Sequence, residues 1–250
     1  MALRRFYIEK TDLSEDGVRL RGDLFHHVRD VCRFGAGDRF EALPGDGRAL
    51  LVEITSLTNK EILARTVSTR DVPPLPKPHI VLALSIPKLP KVDWIIEKAV
   101  ELGVAEIRPF VSEFSFLRKV SEISPNRLQR WQKLVQGATQ QSGRGELMKI
   151  AEAVTLKNLL TEFNQMSGIG GLFPYEGEAQ IELHDALLGL KQRDLNELWV
   201  FVGSEGGFSQ EEVALFAGAG LKPVSLGDQI LRVETACLAI TSIIKYELSR

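Results

Sequence analysis

The sequence predicts two domains: a small barrel of short strands over residues 1–72, and an α/β domain with a mainly parallel sheet over 79–250. Three observations predict this. Four of the eleven prolines fall between residues 73 and 78, where they break both helix and sheet and mark an interdomain linker. Before them lie short β-like runs divided by turn residues. After them, apolar strands alternate with segments of helical spacing.

In the first domain the expected strands are Arg5–Ile8, Arg39–Leu43, Ala49–Ile54 and Glu61–Val67, and Pro44-Gly45-Asp46-Gly47 is a turn between two of them. Residues 22–33 suit one short helix. In the second domain His79–Ser85 is a continuous apolar strand, as expected when helices cover both faces. Val92, Ile95, Ile96, Ala99 and Leu102 give helical spacing, and Gly103 ends that helix. Glu106–Val111 is the next strand. Ser124-Pro125 opens a helix to about Gln141. Leu198–Val202 is a buried strand, Ser209-Gln-Glu-Glu212 a capping box, and Pro223–Leu226 a short strand. A final helix runs from about Glu234 to the C-terminus.

Net charge is -2, but it is unevenly spread. Residues 1–71 hold twelve Lys+Arg and twelve Asp+Glu; residues 77–149 hold twelve and seven, a balance of +5; residues 150–250 hold seven and fourteen, a balance of -7. A locally basic segment can contact phosphate in an acidic protein, because salt limits the reach of each charge to about 10 Å. It also suits a solvated helix face. The longest uncharged run of the C-terminal third, Thr235–Ile244, is too short to cross a bilayer, so no membrane partner is expected. Cys32 and Cys237 form neither a disulfide framework nor a zinc pattern; a reducing cytoplasm is the default location and no metal is expected.

Two motifs carry chemistry. Val202-Gly-Ser-Glu-Gly-Gly-Phe-Ser209 follows a buried strand and precedes a capped helix. Ligands of open α/β sheets bind at such strand ends, and glycines there let backbone N–H groups approach them. A plain strand-to-helix turn has the same glycines. Leu226-Gly-Asp-Gln-Ile-Leu-Arg-Val-Glu-Thr-Ala236 sets Arg232 and Glu234 before an apolar helix. The helix dipole favours Glu234 but not Arg232, which asks for a ligand anion or a buried carboxylate. Gly168-Ile-Gly-Gly171 lacks the third glycine of a dinucleotide fingerprint. Trp94, Trp131 and Trp199 are read as core or interface residues.

Read together and in this order, these motifs resemble the RsmE family of the SPOUT superfamily, which methylates N3 of a uridine in small-subunit (16S) ribosomal RNA. The resemblance extends to Arg4-Arg5-Phe6, Lys88–Val104 and Gln141-Ser142-Gly143-Arg144. It implies a PUA-like barrel, a trefoil-knotted methyltransferase domain, a homodimer, and 16S rRNA or the small ribosomal subunit as partner. It implies S-adenosyl-L-methionine as cofactor, held by three loops through Leu172, Phe173, Pro174, Gly203, Glu205, Gly207, Leu226, Gly227, Ile230, Leu231 and Ala236. Arg232 would hold the target nucleotide, and Glu205 or Glu234 would be the base, unless they bond loop amides instead. Arg4, Arg5, Lys88, Lys91, Arg118 and Arg144 would meet RNA phosphates. The chain departs from the family pattern at Ser204, usually proline, which suggests a floppier loop, and at Leu147-Met148, where proline is usual nearby. A non-enzymatic RNA-binding adaptor is the rival reading, and it predicts no cofactor pocket. A phosphate-ester enzyme would need metal carboxylates or a phosphate loop, and neither motif is present.

Overall fold

The computed structural model describes residues 3–177 and 181–248, which divide into two compact units. The first comprises residues 1–74 together with 136–147, the second residues 75–135 and 148–250.

The first unit is built on a six-stranded sheet of β1 (Arg5–Tyr7), β2 (Leu13–Ser14), β3 (Gly17–Leu20), β4 (Arg39–Leu43), β5 (Arg48–Leu57) and β6 (Ile62–Asp71). Their order is β1-β4-β5-β6-β3-β2, with β1 parallel to β4 and the other pairs antiparallel. Alternate residues point inward, so Phe40, Ala42, Leu50, Val52, Ile54, Ile62 and Ala64 share one core with Phe6 and Phe25. The helix expected at 22–33 is instead a short α-helical turn, α1 (Gly22–His26), continued by a π-helical turn over His27–Val31. The wider turn keeps both Phe25 and Val28 buried.

A first domain of residues 1–72 alone is corrected here, because residues 136–147 belong to the same unit. The Tyr7 N–H donates to Gln140 Oε1 (2.8 Å), and the Gly47 N–H to the Gly145 carbonyl (3.0 Å). Such pairings join residues far apart in sequence, and no local periodicity announces them.

The second unit holds β7 (His79–Ser85), β8 (Glu106–Val111), β9 (Lys149–Ile150), β10 (Val154–Thr155), β11 (Ile169–Pro174), β12 (Ile181–Glu182), β13 (Glu197–Val202) and β14 (Pro223–Ser225). The order is β10-β8-β7-β13-β11-β14-β12, with β9 beside β8, and every described pairing is parallel. The helices are α2 (Leu89–Glu101), α3 (Pro125–Ser142, of which residues 136–142 belong to the first unit), α4 (Leu156–Gln165), α5 (Leu183–Lys191), α6 (Gln210–Gly218) and α7 (Val233–Leu248). The last two residues of the chain lie outside the described ones. Strands β7 and β13 are almost wholly buried, as their unbroken apolar sequences require.

The Ser209 capping box forms as expected: Ser209 accepts from the Glu212 N–H (3.4 Å) while Glu212 accepts from the Ser209 N–H (3.1 Å). Helices α4 and α5 and strand β11 add to the sequence expectation. Leu156, Leu159, Leu160 and Phe163 of α4 are buried at helical spacing, and so are Leu183, Ala186, Leu187 and Leu190 of α5. A parallel sheet flanked by helices gathers the carboxyl ends of β11, β13 and β14 at one edge, and the site lies there.

Candidate functional site

The loops that leave β11, β13 and β14 enclose a cleft of about 570 Å³, open to solvent. Pro174, Tyr175 and Glu176 line it from the first loop, Gly203, Ser204 and Gly207 from the second, and Leu226, Gly227, Ile230 and Leu231 from the third. Ala236 of α7 closes its floor. Eight expected cofactor residues therefore converge: Pro174, Gly203, Gly207, Leu226, Gly227, Ile230, Leu231 and Ala236.

Leu172 and Phe173 do not line the cleft. They point into the core, where the Phe173 ring stacks on Phe216 with centroids 4.4 Å apart. The strand runs on to Pro174, so the lining role passes to Tyr175 and Glu176. Glu205 stands beside the cleft rather than in its wall. Val202, Phe208, Gln229 and Val233 also line it, and only their places next to the glycine loops could have signalled that.

The second loop is a tight turn. The Gly207 N–H donates to the Ser204 carbonyl (3.0 Å), and Gly207 has φ +66°, which L side chains rarely adopt. A Cβ on Gly207 would lie 2.3 Å from Glu176 Oε1, and one on Gly203 would press on the Gly207 backbone at 3.0 Å. The floppiness expected from Ser204 is corrected: its side chain is buried and its hydroxyl donates to the Phe114 carbonyl at 2.6 Å. A side-chain tie takes the place of the proline ring's restraint.

Charges cluster behind this turn. The Lys91 ammonium, on the first turn of α2, lies 3.0 Å from Glu234 Oε2 and 3.4 Å from Glu205 Oε1. The Lys88 N–H also donates to Glu205 Oε1 (3.3 Å). One lysine thus ties the second loop to the start of α7. Burial pushes the Glu234 carboxyl up, but its own backbone N–H, Lys91 and Arg232 outweigh this and hold it below the usual carboxylate range. Arg232 is exposed, and among the described residues its guanidinium has no hydrogen-bond or ion-pair partner.

The remaining expected RNA contacts differ in availability. The Lys88 side chain is exposed. The Arg118 guanidinium donates to the Glu113 carbonyl. In the first unit, Arg4 donates to Cys32 Sγ (2.9 Å), and Arg5 pairs with Glu41 (3.0 Å), which also binds Arg70 (2.7 Å). Arg144 is half-buried, and that burial pushes its guanidinium down to about 10. Burial raises the Cys237 thiol far above its ordinary value, so it is no nucleophile. Among the described residues no cluster of His, Cys, Asp and Glu could hold a metal, and no helix is long and apolar enough to cross a membrane.

Residues 73–245 match the RNA methyltransferase domain family, and residues 20–67 match the RNA methyltransferase PUA domain. A ribosomal RNA small subunit methyltransferase E of Synechocystis sp. is 30% identical over 236 residues, covering 93% of this chain and 74% of the relative. The Bacillus subtilis protein of the same name is 27% identical, covering 98% of this chain and 97% of its own. The crystal structure of ribosomal RNA small subunit methyltransferase E from Neisseria gonorrhoeae bound to S-adenosyl methionine superposes with a TM-score of 0.84 at 28% identity. It covers 98% of this chain and 97% of that one.

Proposed function

The chain belongs to the RNA methyltransferase family of these relatives, and on that premise we propose that it transfers the methyl group of S-adenosylmethionine to N3 of a uridine in 16S ribosomal RNA. The observation that carries this reading is the cleft at the ends of β11, β13 and β14, whose wall includes the glycines of two loops, Gly203, Gly207 and Gly227. The residues fit the cofactor. Gly203 and Gly207 have no side chain to fill the cradle, Val202, Phe208, Leu226 and Val233 offer apolar walls, and Glu176 offers a carboxylate to cationic or hydroxyl groups.

When bound, the cofactor supplies an activated methyl on a leaving group, so the protein's own task is mostly alignment. Holding two reactants in attack geometry is worth roughly 7–11 kcal/mol, against about 10²–10⁴-fold for a general base. Arg232, exposed and without a hydrogen-bond or ion-pair partner among the described residues, is assigned to the RNA phosphate or to charge developing on the uracil oxygen. Glu205 and Glu234 are assigned as positioning residues, because Lys91 pairs with both and Glu234 is held as a weak proton acceptor, so the N3 proton of the uridine leaves to solvent water. Lys91 itself then serves the loops rather than RNA.

The family reading also brings a trefoil knot through the three loops, a cytoplasmic location and a homodimer. Ile243 and Tyr246 of α7 are exposed apolar surface that a second copy could cover. Light scattering should give twice 27.8 kDa; the monomer mass at micromolar concentration would remove the dimer. The function is tested by incubating the protein with S-adenosylmethionine and small-subunit RNA, then digesting and weighing the nucleosides. 3-Methyluridine is expected; its absence despite intact cofactor binding would overturn the target, and no binding heat would overturn the enzyme.

A further inference from the structure

A second concavity of the α/β unit shares no lining residue with the cofactor cleft. It encloses about 1050 Å³, including solvent at its mouth, between the first turns of α2 and α3. Its wall combines three cations, Lys88, Arg127 and Arg130, with one carboxylate, Asp93, and one aromatic ring, Phe116. Asp93 is neutralised within the fold: Arg130 Nε donates to it at 2.8 Å and the buried Trp131 Nε1 at 3.1 Å. That leaves Lys88 and Arg127, whose side-chain charges have no ion-pair partner among the described residues.

Phe116 is half exposed, which leaves one face of a large apolar ring to solvent. It is not a mobile loop tip. Its N–H donates to the Ile86 carbonyl (2.8 Å), and the residues before it are pinned by a buried serine knot. There Ser85, Ser112 and Ser115 hydroxyls lie 2.6–3.1 Å apart, and Ser115 Oγ accepts from the Ser112 N–H at 2.7 Å. A rigid exposed ring beside unpaired cations is the arrangement that binds unpaired nucleic acid: the ring stacks a base and the cations meet its phosphates. The groove also adjoins the reaction centre. Phe114 of the same strap accepts from Ser204, and the Lys88 N–H reaches Glu205, so both ends touch the glycine loop of the cleft.

We propose that this groove binds an unpaired nucleotide of the RNA substrate, next to the methylated one, with its base on Phe116 and its phosphates at Arg127 and Lys88. The proposal rests on the RNA methyltransferase reading but is tested apart from it. Binding of a fluorescent oligouridylate and of a protein-free small-subunit RNA transcript is measured by anisotropy, alongside calorimetry with S-adenosylmethionine. Phe116→Ala should weaken RNA binding about tenfold or more, the loss of one base stack, and leave cofactor affinity unchanged. Phe116→Trp should restore binding, and Phe116→Leu, equally apolar, should not. Arg127→Gln should lower affinity and reduce the salt dependence by about one phosphate contact.

Wild-type RNA affinity in Phe116→Ala, or equal rescue by Leu and Trp, would overturn the groove. So would a Phe116→Ala protein of halved mass, which would make the face an interface between copies of this chain. If the wild type binds RNA through Phe116 yet transfers no methyl group, the function fails and the groove stands. If it methylates RNA at full rate without Phe116, the reverse holds.

Discussion

The two glycine loops of the cleft are built to opposite standards. The loop after β13 is tied at three residues: Ser204 to the Phe114 carbonyl, Glu205 to Lys88 and Lys91, Gly207 back to Ser204. The loop after β14 is loosely held. The Gly227 N–H donates to Ser225 Oγ (3.1 Å), and Ile230 is 82% exposed although it lines the cleft. A Cβ on Gly227 would meet nothing within 4 Å, although its φ of +106° also strains any L side chain, while one on Gly207 would meet the Glu176 carboxylate. The first loop is therefore a preformed wall, and the second is the side on which a ligand can still be covered. Backbone geometry should control binding on the first, and side-chain chemistry should control transfer on the second.

The largest break in that comparison is Gly207→Val. Its φ of +66° strains any L side chain, and a Cβ there would displace the exposed Glu176 carboxylate at the cleft, so calorimetry should detect no S-adenosylmethionine binding. Binding within threefold of wild type would show that the loop yields.

Next is Arg232→Ala on the looser side. Single-turnover methyl transfer should fall by roughly 10²-fold, the scale of one lost charge-stabilising donor, with cofactor affinity nearly unchanged. Arg232→Lys should rescue poorly, since an ammonium lacks the two-pronged guanidinium geometry. Loss of cofactor binding instead would move Arg232 into the cofactor site.

Lys91→Met sharpens the link between the loops. Two carboxylates would face each other without their cation, and cofactor affinity should drop about tenfold, as expected when hydrogen bonds to charged groups are lost. Lys91→Arg should recover much of it. Because Glu234 is held below the usual carboxylate range, its contribution is complete above that range and is lost only as pH falls through its lowered value. Wild-type methylation between about pH 6 and 9 should therefore show no step assignable to Glu234. A step that disappears in Glu234→Gln would make Glu234 the base after all.

The smallest effect is Ser204→Ala. It removes one buried hydrogen bond worth about 1 kcal/mol and should lower the melting temperature slightly and cofactor affinity a few-fold. An unchanged melting curve and affinity would mean that the Phe114 tie is idle.

Much of this molecule was legible in its residues alone. Strands β7, β8 and β13, the Ser209 cap and the placing of both glycine loops at strand ends follow from apolar runs, capping chemistry and punctuation by glycine and proline, all of which act over a few residues. Helices α4 and α5 carry the same kind of signal in their spacing of buried leucines. The tertiary structure alone decided what depends on distant partners. It put Leu172 and Phe173 in the core and Tyr175 and Glu176 in the cleft, because β11 lies between β13 and β14, neither of which adjoins it in sequence. It drew residues 136–147 into the first unit, and it set Lys91 between Glu205 and Glu234. A lysine on a helix reads as a phosphate contact until its neighbours are known. Parallel pairing brings those neighbours from far along the chain, and charge, unlike hydrophobic periodicity, has no local pattern that names its partner.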